Sequence, residues 1–141
     1  MEIFAQFKEM EPEAASEQIR GLLTDLDLVE IEDILVKYLS GGQKRKLSVA
    51  LAYLGDPAII FLDEPSSGLD TTSRRQFWEV LRARRKGKIV VLTTHYMDEA
   101  DFLGDRIAIM GEGEIKTCGS SMFLKERYGV GYSLNIIKKN L

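Results

Sequence analysis

The sequence predicts an α/β fold with a mainly parallel sheet, and two observations predict it. The apolar runs Ala58-Ile59-Ile60-Phe61-Leu62 and Ile89-Val90-Val91-Leu92 each end in polar residues. Runs of that length suit strands buried on both faces, as in a parallel sheet. Around and between them lie longer segments whose apolar residues recur at helical spacing. Strand–helix–strand alternation is the α/β pattern.

Each element follows in order. From Pro12, the residues Ile19, Leu22, Leu23 and Leu26 fall on one helix face. Pro12 suits a first helical turn, and Glu11 and Glu13 favour a helix N-terminus. A second short helix is expected over residues 30–37, broken by Leu39-Ser40-Gly41-Gly42. A third runs over residues 43–54, with Leu47, Ala50, Leu51 and Leu54 on one side, and Gly55-Asp56-Pro57 ends it. After the first strand comes a helix over residues 72–85 that buries Phe77, Trp78 and Leu81. The second strand runs into Thr93-Thr94-His95, and residues 96–103 form a short helix. Arg106-Ile107-Ala108-Ile109-Met110 is a third strand. The turn Glu112-Gly113-Glu114 leads to a fourth over residues 115–118. Residues 120–127 read as helix, and the tail to Leu141 as a further strand. The expected organisation is a helical portion over residues 1–57, a core over 58–127 and a C-terminal extension over 128–141.

Composition narrows the function. With 141 residues, the chain is one domain at most. Nineteen basic against 22 acidic residues give a net charge of −3, which argues against an electrostatic partner such as nucleic acid. The run at residues 58–62 is the longest purely apolar one, far short of the roughly 20 residues that span a bilayer. Met1-Glu2-Ile3-Phe4 has neither a basic nor an apolar leader region, so no signal peptide is expected. One cysteine, Cys118, builds no disulfide framework and fits a reducing compartment. One histidine, His95, leaves too few ligands for a Cys/His zinc site. Cys118, Phe77, Trp78 and the five methionines read as packed side chains. The basic run Arg82, Arg84, Arg85, Lys86, Lys88 reads as a solvated helix end.

Three strings carry chemistry. In Ile59-Ile60-Phe61-Leu62-Asp63-Glu64, the strand places two carboxylates at its C-terminal edge, where open α/β sheets bind ligands. One can hold Mg²⁺, usually through water. The other can orient or deprotonate an attacking water. The ordinary alternative is a solvated acidic turn. In Leu39-Ser40-Gly41-Gly42-Gln43, two glycines at a helix start let backbone N–H groups approach an anion, with the Ser40 hydroxyl adding a donor. The alternative is Ser40 capping its own helix. His95 stands at the end of the second strand, where it could reach the same phosphate as Asp63 and Glu64. A lone histidine is more often a helix-start or half-buried residue. Between them, Pro65-Ser66-Ser67-Gly68-Leu69-Asp70 is turn-rich, and Asp70 or Thr71 caps the next helix.

The order and spacing of these strings resemble the ATP-binding cassette (ABC) ATPases over nearly the whole chain. Ser40-Gly41-Gly42-Gln43 looks like the signature, Ile59 to Glu64 the Walker B strand, Ser67-Gly68-Leu69-Asp70 the D-loop and His95 the H-loop switch. Several further strings look like the subfamily A transporters, most of which move lipids. They include Gln43-Lys44-Arg45-Lys46-Leu47-Ser48, Thr94-His95-Tyr96-Met97-Asp98-Glu99-Ala100-Asp101, and Gly104-Asp105-Arg106-Ile107-Ala108-Ile109-Met110. The resemblance implies an incomplete P-loop NTPase fold, with a helical signature subdomain followed by the sheet. It implies ATP and Mg²⁺ as cofactors. Asp63 would hold Mg²⁺ through water, Glu64 would be the general base, and His95 would contact the γ-phosphate. Ser40, Gly41, Gly42 and Gln43 would face the nucleotide of a second cassette packed head-to-tail, and Asp70 would couple the two sites. The implied setting is the cytoplasmic face of a membrane, beside the transporter's membrane domains, with lipid met only through those domains.

No G-x-x-x-x-G-K-[ST] occurs in the 141 residues. Without it no backbone nest cradles the β-phosphate and no lysine reaches the γ-phosphate. The chain therefore reads as the later part of one cassette, expected to be marginally stable, weak in ATP binding and inactive alone. Two other readings remain at this stage: a soluble ABC-type ATPase, and a non-catalytic truncated product.

Overall fold

Helix formation in the first half follows apolar spacing and caps. The computed structural model describes residues 1–129 and 131. After a short helix α1 (Glu2–Phe7), α2 (Pro12–Asp25) starts on Pro12 and buries Ala15, Leu22 and Leu23. Leu26 and Leu28 continue the same apolar contact. The helix expected over residues 30–37 forms instead as two 3-10 turns, Val29–Ile31 and Val36–Tyr38. Val29, Ile31, Ile34 and Val36 are β-branched, and Asp33 competes for backbone hydrogen bonds, so a regular helix is disfavoured. Helix α3 (Gly41–Tyr53) begins two residues earlier than the spacing suggests, because Ser40 and Gln43 form a capping box.

Strand β1 (Ile59–Asp63), helix α4 (Thr71–Arg84), strand β2 (Ile89–Thr93) and helix α5 (Met97–Leu103) follow. The two strands pair in parallel with Ile59 opposite Ile89 and Asp63 opposite Thr93. That register brings the C-terminal ends of both strands to one edge. Side chains alternate across a strand, so Ile60, Leu62, Val90 and Leu92 share one face and Ile59, Phe61, Ile89 and Val91 the other. The first face meets the core built by Leu22, Leu54, Phe77, Trp78 and Leu81. The second is open: Phe61 is 75% and Ile89 61% exposed. Burial on both faces, expected from the continuous apolar runs, is therefore not found. The described residues cover one face only.

Polar contacts pin the helices around this core. The Trp78 indole N–H donates to Glu99 Oε1 at 2.8 Å, joining α4 to α5 with both side chains buried. The basic run is not simply solvated. Arg84 Nε donates to Asp25 at 2.6 Å, Arg85 donates to the Leu103 carbonyl at 2.9 Å, and Lys88 pairs with Asp56. These contacts hold the C-terminal end of α4 to α2 and to the end of α5, and the turn before β2 to the turn before β1.

The chain divides into two compact units, Met1–Leu103 and Gly104–Leu141. In the second, β3 (Ile107–Gly111) and β4 (Glu114–Gly119) form an antiparallel hairpin with a bulge after Ile109. Helix α6 (Ser121–Tyr128) follows, capped by Ser120. Cys118, expected to be packed, is exposed on β4. Met97, Met110 and Met122 are also exposed, while Met1 and Met10 pack on the core of the first unit. The strand expected in the tail lies outside the described residues.

Candidate functional site

Strand register assembles the first cluster. Asp63 ends β1 and Thr93 ends β2 in the paired position, and the Thr93 hydroxyl donates to Asp63 Oδ1. Glu64 follows with a left-handed backbone, φ 49°. Such a conformation is uncommon for a residue with a side chain and turns the chain sharply off the strand. The Glu64 amide donates to the Thr93 carbonyl at 3.1 Å, so the turn stays tied to β2. Across this junction His95 Nδ1 lies 2.6 Å from Glu64 Oε2. The ring is 60% and the carboxylate 34% exposed at the side chain. The structure thus brings three of the expected residues, Asp63, Glu64 and His95, to one sheet edge. Two carboxylates and an imidazole there can orient water and move a proton.

The second cluster is the start of α3. Ser40 Oγ accepts from the Gln43 amide at 3.2 Å, and Gln43 Oε1 accepts from the Ser40 amide at 2.8 Å. The capping alternative is therefore realised. It does not consume the Ser40 hydroxyl hydrogen, since a hydroxyl both accepts and donates. Gly41 has no heavy atom within 4 Å of where a Cβ would stand, so its backbone is open to approach. Gly42 differs: a Cβ there would come within 3.0 Å of Leu69 Cδ2. A side chain there would press on Leu69 in the turn before α4.

The third element is that turn. The Ser67 amide donates to the Glu64 carbonyl at 3.1 Å and the Leu69 amide to the Ser66 carbonyl at 3.2 Å. Gly68 takes φ 79°, which suits glycine. Asp70 then caps α4, with Oδ1 accepting from the amides of Thr72 and Ser73, each at 3.0 Å. The hydroxyl and amide of Ser73 hold the Asp70 carboxyl below its ordinary value, outweighing desolvation, with a lesser contribution from the Thr72 amide. Sequence reasoning missed Thr93 and the contact of Leu69 with Gly42. Only Thr93 had a signal, its place at the end of a strand paired with the one ending in Asp63.

The site is open rather than enclosed. A groove of about 560 Å³ lies elsewhere, lined by residues such as Ile19, Leu23, Leu28, Ile31 and Leu47. No group of three or more His, Cys, Asp or Glu side chains suited to a metal occurs among the described residues. Asp63 still fits Mg²⁺, a hard cation that binds through one or two carboxylates together with phosphate oxygens and water.

A parallel strand pair with acids at its C-terminal edge, preceded by a capped glycine-led helix, defines part of an ATP-binding cassette domain. The chain belongs to the ABC transporter family, as a portion of its ATP-binding domain with subfamily A homologues. The family model described as ABC transporter matches residues 2–67. The phospholipid-transporting ATPase ABCA3 of Mus musculus is 46% identical over 136 residues, which is 96% of this chain and 8% of that protein. ATP-binding cassette sub-family A member 6 of Homo sapiens is 45% identical over 141 residues, covering 100% of this chain and 9% of the relative. The chain thus spans under a tenth of the length of these curated relatives. A solved structure of an ATP-binding subunit of an ABC transporter superposes with a TM-score of 0.78 at 23% identity, over 92% of this chain and 54% of that one. It supports the fold. Among the described residues no helix is long and apolar enough to cross a membrane.

Proposed function

We propose that this chain supplies two different half-sites to an ABC transporter that couples ATP hydrolysis to transmembrane transport, with lipid as the cargo. The subfamily A relatives, among them a phospholipid-transporting ATPase, support that cargo. The observation that carries the reading is the meeting of Asp63, Glu64 and His95 at one edge of two parallel strands.

In this reading Asp63 holds Mg²⁺ through water, with Thr93 fixing the carboxylate. Bound Mg²⁺ supplies charge neutralisation on the phosphate oxygens. Glu64 polarises the attacking water and takes its proton as the water oxygen bonds to the γ-phosphorus and the bond to the ADP oxygen breaks, while His95 holds Glu64 at Oε2 and faces the γ-phosphate with its remaining ring edge. Water-excluding closure is required, because both side chains are partly exposed and electrostatic stabilisation is strongest in a dry site. A second cassette, docked head-to-tail, provides that closure. Reciprocally, Ser40, Gly41, Gly42 and Gln43 present the start of α3 to the partner's nucleotide, and Asp70 couples the sites from the turn between them. The assembly lies on the cytoplasmic face of a membrane, against the transporter's membrane domains, and nucleic acid plays no part. The 141 residues contain no phosphate-cradling loop. The chain alone therefore binds ATP weakly and does not turn it over.

The helix-start half-site gives the direct test. Adding the chain to a subfamily A cassette that carries its own phosphate loop should raise that cassette's ATP turnover. Gly41→Asp, which sets a carboxylate against the γ-phosphate, should abolish the increase. An unchanged turnover with the wild-type chain would remove the proposal of action across the interface.

A further inference from the structure

His95 is 60% exposed, and an imidazole so placed turns easily unless something holds it. The ring is not alone. The Tyr96 ring centroid lies 4.0 Å from that of His95, with the planes tilted by 39°. The Arg74 guanidinium carbon lies 3.9 Å from the Tyr96 ring centroid, within cation–π range. Arg74 Nη2 also reaches the Leu69 carbonyl at 3.4 Å. Its Nε is buried and makes no hydrogen bond, so stacking is the main contact of that part of the group. The Tyr96 amide donates to Thr94 Oγ1 at 3.0 Å, which fixes the backbone beneath the ring.

These contacts form a continuous row: Leu69, Arg74, Tyr96, His95, Glu64. We propose that Arg74 and Tyr96 are positioning residues that hold the His95 ring against Glu64. Arg74 stands in the first turns of α4, whose cap is Asp70. It therefore connects the turn carrying Leu69 and Asp70 to the histidine at the end of β2. A shift of that turn on docking of a partner would reach His95 through the guanidinium. The proposal rests on the reading of Glu64 and His95 given above, but its geometric content does not need ATP.

His95 is the sole histidine, so its side-chain resonances are unambiguous in solution NMR of the 141-residue chain. The Tyr96 ring should displace them by its ring current, and His95 should show a contact to the Glu64 side chain. Arg74→Met keeps the aliphatic stem and removes the planar cation. It should lose both the displacement and the Glu64 contact. Arg74→Lys keeps the charge without the plane and should retain only part of each, while Tyr96→Phe keeps the ring and should preserve both. If Arg74→Met leaves the His95 displacement and the Glu64 contact at wild-type values, the positioning role is overturned, even if Tm falls. Failure of the ATP reading would show in turnover instead and would leave these NMR signals intact.

Discussion

The two faces of the β1–β2 pair are both apolar as far as Leu62 and Leu92 and meet opposite fates. Ile60 and Leu62 are 2% and 6% exposed, against 53% and 75% for their neighbours Ile59 and Phe61. Helices lie over one face, and the described residues place nothing over the other. An apolar strand face left in water contributes nothing to folding and is a site for association. The comparison teaches that these strands are built for a sheet with layers on both sides, of which the described residues supply one.

Substitutions on the two faces can break that comparison. Ile60→Ala removes a buried side chain and should cost about 2–5 kcal/mol, measured by denaturant unfolding. Phe61→Ala, one residue away, should change stability by no more than about 0.5 kcal/mol. It should also reduce self-association in sedimentation, since it shrinks the open patch. Equal losses at both positions would mean that the second face is covered after all.

The smallest expected effect lies at the α4 cap, which anchors a helix of the covered face. The folded-state value of Asp70 is depressed by Ser73 and Thr72. A depressed carboxylate contributes stability above its unfolded value, and loses it as pH falls through the folded one. Asp70→Asn should therefore be less stable than the wild type at neutral pH. The gap should narrow on acidification below about pH 4, seen in parallel thermal melts. A gap that widens on acidification would reverse the sign of this assignment.

The sequence made the elements and the site legible to different degrees. Apolar periodicity placed α2, α3 and α4 to within two residues or so, and the apolar runs located both strands of the parallel pair. It could not say which strand faces are covered, since a continuous apolar run describes the complete layered sheet rather than what the described residues supply. The weakly helical stretch from Val29 to Tyr38 misled because apolar content there is carried by β-branched residues. At the site, Asp63, Glu64 and His95 were legible because strand ends are where polar residues stop apolar runs. Leu69, Arg74 and Tyr96 were not, because the contacts that give them a place, Leu69 with Gly42 and Arg74 with Tyr96, join residues distant in sequence. Gly42 shows the same limit: its motif suggests anion approach at both glycines, yet only the open space at Gly41 and the Leu69 contact at Gly42 distinguish their roles.

The central claim is that the edge carrying Asp63, Glu64 and His95 performs hydrolysis once a phosphate-cradling loop is present. The direct measurement is ATP turnover of this chain joined to a segment bearing that loop, with Glu64 and with Glu64→Gln. The account predicts a loss of about 100-fold or more in turnover, typical of removing a general base, with ATP binding retained. Turnover unchanged by Glu64→Gln would contradict it.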